Sequence, residues 1–190
     1  MKRESQSTLY RLTEQVEQET KLDPVVHGLD RLLPASMREG PVRAALGGRW
    51  LGHALHPMLT DVPIGTWTSA SVLDLIGGRA SRSASRRLIA VGIVAAIPTA
   101  VTGASDWTAA SPTERRVGVV HAAANTVALA LYIASWSARH RQRHGKGAAL
   151  ALTGAAVTAA SGYLGGHLSL ARDTALRSTS SAFDADDPTD

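Results

Sequence analysis

Between positions 117 and 138 the chain carries no charged residue and reads VGVVHAAANTVALALYIASWSA. A helix that crosses a bilayer needs about 20 mostly apolar residues. It also satisfies its backbone polar groups internally, which lipid demands. Three more apolar runs accompany this one, at 58–76, 88–103 and 148–164, the last reaching toward Leu170. The second is short and holds Pro98, the first carries Asp61 and Asp74, and the fourth is rich in small residues. Their even spacing, with basic loops between, makes the four read together as membrane spans.

The competing reading is a soluble helical core. A soluble bundle shows water a polar face on each helix. In LIAVGIVAAIPTAVTG the only polar side chains are threonines, and the 117–136 run offers only His121, Asn125, Thr126, Tyr132 and Ser135. The single phenylalanine, Phe183, lies outside the runs, so a water-soluble core would lack bulk. The expected fold is therefore all-α, an integral membrane four-helix up-down bundle with an N-terminal amphipathic surface segment. Its expected parts are a polar arm at 1–50, the transmembrane domain at 51–170 and a disordered acidic tail at 171–190. Small residues such as Gly154, Ser161, Gly162 and Gly165 let the fourth helix approach its neighbours closely, and packing of this bundle is their simplest use.

Cysteine is absent, which removes disulfides, thiolate metal sites and any iron–sulfur cluster held by this chain. The net charge of +4 is carried by arginines beside apolar runs, not by a basic face with aromatics, so no nucleic acid partner is implied. No nucleophile elbow, P-loop or dinucleotide loop is present, and the chain does not read as an enzyme on its own. The loops at 78–87 and 139–146 lie on one face and carry eight arginines and lysines against seven on the other. The positive-inside rule then places the termini outside a bacterial cell (inner) membrane that the chain crosses several times. Residues 25–33 suit an amphipathic surface helix, and Trp50 an interfacial anchor. Asp74 reads as partner to Arg79 or another loop arginine.

Chemistry points to the histidines. In an up-down bundle odd spans begin, and even spans end, on the same face. That puts His53, His56, His121 and His167 at one membrane face, joined by Asp61 and Asp106. Ionisable groups inside a membrane are costly and mark functional sites. Imidazole and carboxylate suit transition metals, and two histidines on facing helices can ligate heme iron. Asn125, four residues after His121, falls on the same helix face as a supporting partner.

The blocks RWLGHALHPMLTDVPIGTWTSASVLDLIGG, TGASDW, VGVVHAAANTVALALY and GYLGGHLSL resemble, in order and content, the bacterial membrane proteins grouped as the domain-of-unknown-function family numbered 2231. The lead-in DPVVHGLDRLLPASMREGPVRAAL resembles actinobacterial members. The resemblance implies a membrane domain, in some related chains fused to a Rieske-type iron–sulfur domain. Lacking cysteine, this chain would meet such chemistry only on a separate redox protein. Three readings stay open. One is a redox-linked domain with heme b or a transition metal, with His56, His121 and His167 as cofactor-binding residues and His53, Asp61 and Asp106 completing a metal set. Another is a non-catalytic anchor or scaffold for a partner complex. The third is a small transporter or proton pathway, as a homo-oligomer, using Asp61, Asp74 and His121.

Overall fold

Helices follow the apolar runs, and all but the first extend past them at both ends. The computed structural model describes residues 7–172, and no strand occurs among the described residues. Three short helices come first: α1 (Thr8–Gln18), α2 (Asp23–Leu32) and α3 (Gly40–Leu46). Four long ones follow: α4 (Leu55–Ile76), α5 (Arg82–Thr108), α6 (Pro112–His140) and α7 (His144–Gly166), the last running into a π-turn at His167–Ala171. Beyond Arg172, the tail expected to be disordered lies outside the described residues.

Local sequence explains the boundaries. Ser111 opens α6 with a capping box: the Glu114 amide donates to Ser111 Oγ and the Ser111 amide to the Glu114 carboxylate at 2.8 Å. Pro112 occupies the first turn, where its missing N–H costs nothing. α4 ends at Gly77, and Gly78 follows with φ +60°, a conformation that favours glycine. Pro63 lies inside α4 and cannot donate to the carbonyl of Leu59. Thr99 of α5 makes up the loss, its hydroxyl lying 3.2 Å from that oxygen.

Three segments are long and apolar enough to cross a membrane: Arg82–Thr108, Pro112–His140 and His144–Ser169. Four were expected. α4 has the length, but Asp61, Asp74 and its threonines and serines lower its mean hydropathy. The outer surface of the long helices is apolar, with Ile76, Val94 and Ile97 all well exposed. The interior mixes apolar and small polar groups: Ile89, Val117 and Tyr132 are fully buried, and so are Ser85, Ser105, Ser135 and Ser161. An apolar outer surface with small residues at helix contacts suits a lipid environment.

The four long helices pack in a ring. α4 lies along α5 and α6 along α7, and the two hairpins join through α5–α6 and α4–α7. The hairpins repeat one another. Positions on α4 recur 65 residues later on α6: His56 and His121, Trp67 and Tyr132. Positions on α5 recur 62 residues later on α7: Leu88 and Leu150, Gly92 and Gly154, Thr99 and Ser161, Gly103 and Gly165. Contacts repeat as well. A Cβ on Gly92 would collide with the Trp67 ring, and one on Gly154 would press the Tyr132 ring at 3.1 Å. The two hairpins are thus related by an approximate two-fold axis running between α4 and α6.

Gly92→Leu should therefore destabilise the fold by about 1–3 kcal/mol through overpacking against Trp67. Gly162→Leu, which meets no atom within 4 Å of its Cβ, should be close to neutral. Thermal unfolding in detergent, followed by circular dichroism, compares the two.

Candidate functional site

Three layers of paired side chains lie on the two-fold axis. At the middle, Trp67 and Tyr132 stack with ring centroids 3.9 Å apart and planes 14° from parallel. Seven residues further along each helix, Arg139 makes a bidentate pair with Asp74, one bond being 2.7 Å. Both side chains are buried, Arg139 at 1 % and Asp74 at 6 % exposure. Ser85 donates to Asp74 at 2.7 Å, and Ser135 accepts from Arg139 Nε at 3.2 Å. The pair is thereby hydrogen-bonded on several sides, as a buried charge requires. Of the loop arginines expected as partners, Asp74 thus takes Arg139, at the far side of the axis, in place of Arg79.

At the opposite end stand the histidines. His56 Nδ1 lies 2.9 Å from the main-chain oxygen of Thr99, and His121 Nδ1 lies 2.9 Å from that of Ser161. A carbonyl only accepts, so both imidazoles carry their proton on Nδ1 and present Nε2 as a lone pair. Each ring rests on the symmetry-equivalent glycine. A Cβ on Gly103 would stand 2.7 Å from His56 Cε1, and one on Gly165 3.0 Å from His121 Cε1. Asn125 donates to His121 Nε2 at 3.0 Å, so the expected supporting residue does touch its histidine. The histidine layer and the Asp74–Arg139 layer are 18 residues apart along each helix, about 27 Å at 1.5 Å per residue. That is close to the thickness of a bilayer's hydrocarbon core.

The other expected site residues do not join this layer. His53 is exposed and contacts only its own turn, through the Leu51 carbonyl at 3.3 Å. Asp61 is exposed on the outer surface of α4. Asp106 is buried near the end of α5. His167 is buried against the arm: its Nε2 lies 3.0 Å from Glu17, and Tyr10 packs edge-on to its ring. Among the described residues no three His, Cys, Asp or Glu side chains come together to hold a metal ion.

The N-terminal arm crosses the end of the ring that holds the histidines, and ion pairs fasten it. Arg116 of α6 grips Asp23 at 2.7 and 3.0 Å and donates to the Glu17 carbonyl. Arg115 and Arg38 share Asp30. Arg172 pairs with Glu17 at 2.6 and 2.9 Å. Arg43, buried in α3, donates to the Ser105 carbonyl at 2.8 Å. Burial alone would raise the Glu17 carboxyl, but the hydrogen bonds from Arg172 and His167 outweigh it and hold that group below the ordinary glutamate range. Arg116 likewise holds Asp23 down.

The paired layers were the feature that reading the spans one at a time missed. Their signal was present in the sequence as the recurrence at 65 and 62 positions. It rests on a handful of matches, because Trp faces Tyr and Asp faces Arg instead of repeating.

The profile of the family described as "Predicted membrane protein (DUF2231)" matches residues 52–175. The match covers most of the chain, including all four long helices, and the chain belongs to that family. Comparison with curated proteins and with solved structures gave no match.

Two outcomes follow from this geometry. Arg139→Met leaves Asp74 buried without its partner and should cost about 3–5 kcal/mol. Combining it with Asp74→Leu should recover much of the loss, as unfolding midpoints of the single and double variants would reveal. The stability that Glu17 and Asp23 give the docked arm is complete above the ordinary carboxylate range. It is lost as pH falls through their lowered folded values. Acidification should accordingly raise hydrogen exchange in α1 and α2 before α4–α7 respond. Glu17→Gln should weaken arm docking at neutral pH by about 1–2 kcal/mol, allowing for solvent around Arg172.

Proposed function

We propose that this DUF2231 protein is a redox-linked domain of the bacterial inner membrane, holding a heme b between His56 and His121 and exchanging electrons with a separate redox protein. The observation that carries the reading is the matched pair of imidazoles. Each gives its Nδ1 proton to a main-chain carbonyl of the neighbouring helix. This is the outer hydrogen bond that fixes a ligating histidine's tautomer and ring orientation and raises its basicity.

The donor set distinguishes the candidate cofactors. A bare transition metal ion in a protein takes about four ligands, and no third donor joins the two histidines among the described residues. His56 and His121 would together hold the iron of a heme, which needs no third donor from the chain. When bound, heme supplies one-electron transfer at its iron. The chain's part is to bind and orient: Thr99 and Ser161 aim the rings, and Gly103 and Gly165 make room for them. Asn125 is exposed beside His121 Nε2 and would have to release that nitrogen for a heme to be held there.

In this reading α4 is a fourth span. It packs along α5 and against α7. Of its two carboxylates, Asp74 is neutralised by Arg139 inside the ring, and Asp61 lies within two turns of the helix start, near the headgroups. The loop arginines then face the cytoplasm, and the arm and histidine layer face outward. The proton-pathway reading gains less support, since Asp61 points to the exterior and Asp74 is locked in an ion pair.

Protein purified in detergent from cells supplied with iron and heme precursor should show a Soret band that shifts on reduction. His56→Ala and His121→Ala should each abolish or displace it, while His53→Ala and His167→Ala should leave it in place. A colourless wild-type preparation that also fails to take up added hemin sinks the proposal.

A further inference from the structure

The face opposite the arm carries a second feature, unrelated to the histidine pair. A groove of about 370 Å³ lies between the start of α5 and the turn from α6 to α7. Arg79, Arg82, Arg86, Gln142 and His144 line it. None of the three arginines makes an ion pair among the described residues. Asp74 lies nearby, but Arg139 already holds both its oxygens. His144 Nε2 donates to the Gln142 side-chain oxygen at 3.0 Å, while its Nδ1 is buried without any hydrogen-bond partner. Helices α5 and α7 both begin here, and neither has a side-chain cap. Their dipoles add positive potential to that of the guanidiniums.

So much uncompensated positive charge calls for an anion with several oxygens. We propose that this groove is a phosphate-binding site at the membrane interface, suited to the headgroup of an anionic phospholipid. Arginines offer forked donors that match phosphate oxygens. A proton taken up on His144 Nδ1 would give that nitrogen a bond to the same group. The height is right for a headgroup: the uncharged stretch of α5 begins at Leu88, six residues or about 9 Å along the helix from Arg82. Leu75 and Ile76, at the end of α4 on the same face, are 68 % and 81 % exposed and provide an apolar flank for an acyl chain. Basic pockets between membrane helices take lipid phosphates in this way.

The test is the thermal unfolding midpoint of the full chain in nanodiscs. Discs of phosphatidylcholine alone are compared with discs containing phosphatidylglycerol or cardiolipin, and native mass spectrometry counts retained lipid. Anionic lipid should raise the midpoint and remain bound, and Arg82→Gln/Arg86→Gln should weaken retention about tenfold or more. Arg141→Gln/Arg143→Gln, beyond the groove lining, should not. Inorganic phosphate titrated into phosphatidylcholine discs is the second arm. Stabilisation there, absent in the Arg82/Arg86 variant, keeps the site and makes its ligand a soluble phosphate. If neither anion stabilises the wild type, or if both double variants lose the effect equally, the groove is not a site.

Discussion

The ion pair between Arg139 and Asp74 sets the frame for the rest of the molecule. Charges buried at low dielectric are tolerated only when paired and hydrogen-bonded, and in a membrane span they face the interior. The requirement is directional. It fixes which faces of α4 and α6 meet across the axis, and at what height. Once those residues are in register, Trp67 and Tyr132 meet seven residues away, and His56 and His121 arrive at one level eleven residues beyond that. A slip of one residue in either helix would rotate it by about 100° and break all three layers together.

Two-fold symmetry explains why the layers differ in kind. A residue on such an axis faces its own equivalent. Two neutral imidazoles or two flat rings can do so without penalty. Two aspartates or two arginines cannot, since like charges at that distance in low dielectric repel strongly. The repeat therefore breaks at its charged layer, where the equivalent positions are Asp74 and Arg139, and holds most closely at the histidine layer, where residue, hydrogen-bond acceptor and supporting glycine all recur. The end of the ring that keeps its symmetry is the end that holds the two histidines.

Much of this was legible in the sequence, for specific reasons. The spans of α5, α6 and α7 follow from apolar length, a signal local to each helix. Counting turns put His56 and His121 toward one end of the bundle and Asn125 on the face of His121, and Asn125 does hydrogen-bond that ring. α4 does not follow in this way, because two aspartates depress its hydropathy: Asp74 is paired with an arginine 65 positions away, and Asp61 is exposed near the helix start. His167 was grouped with the other histidines on topology alone. Its actual neighbours, Glu17 and Tyr10, come from α1, and no local pattern pairs residues 150 positions apart. The count of arginines per face could not reveal that those on the arm side are largely tied to carboxylates.

Those ties bear on the histidine layer. The family match begins at residue 52, so α1–α3 lie outside it, yet the arm's carboxylates meet arginines that lie within it: Asp23 on Arg116, Asp30 on Arg115, Glu17 on Arg172. The arm thus covers one end of a domain that is otherwise complete in its helices. Its anchors neutralise cations that would draw water to that end. Met37, on the turn after α2, accepts hydrogen bonds from Ser105 and Thr108 and ties the last turn of α5 to the cover. Reducing water near a pair of imidazoles lowers the local dielectric and strengthens every interaction made there. The cover is held by pairs of two kinds: Asp23–Arg116 and Asp30–Arg115 are partly exposed and individually weak, whereas Glu17–His167 is buried. The histidine end is accordingly shielded by contacts between distant parts of the chain, whereas the other end is closed by the buried Asp74–Arg139 pair.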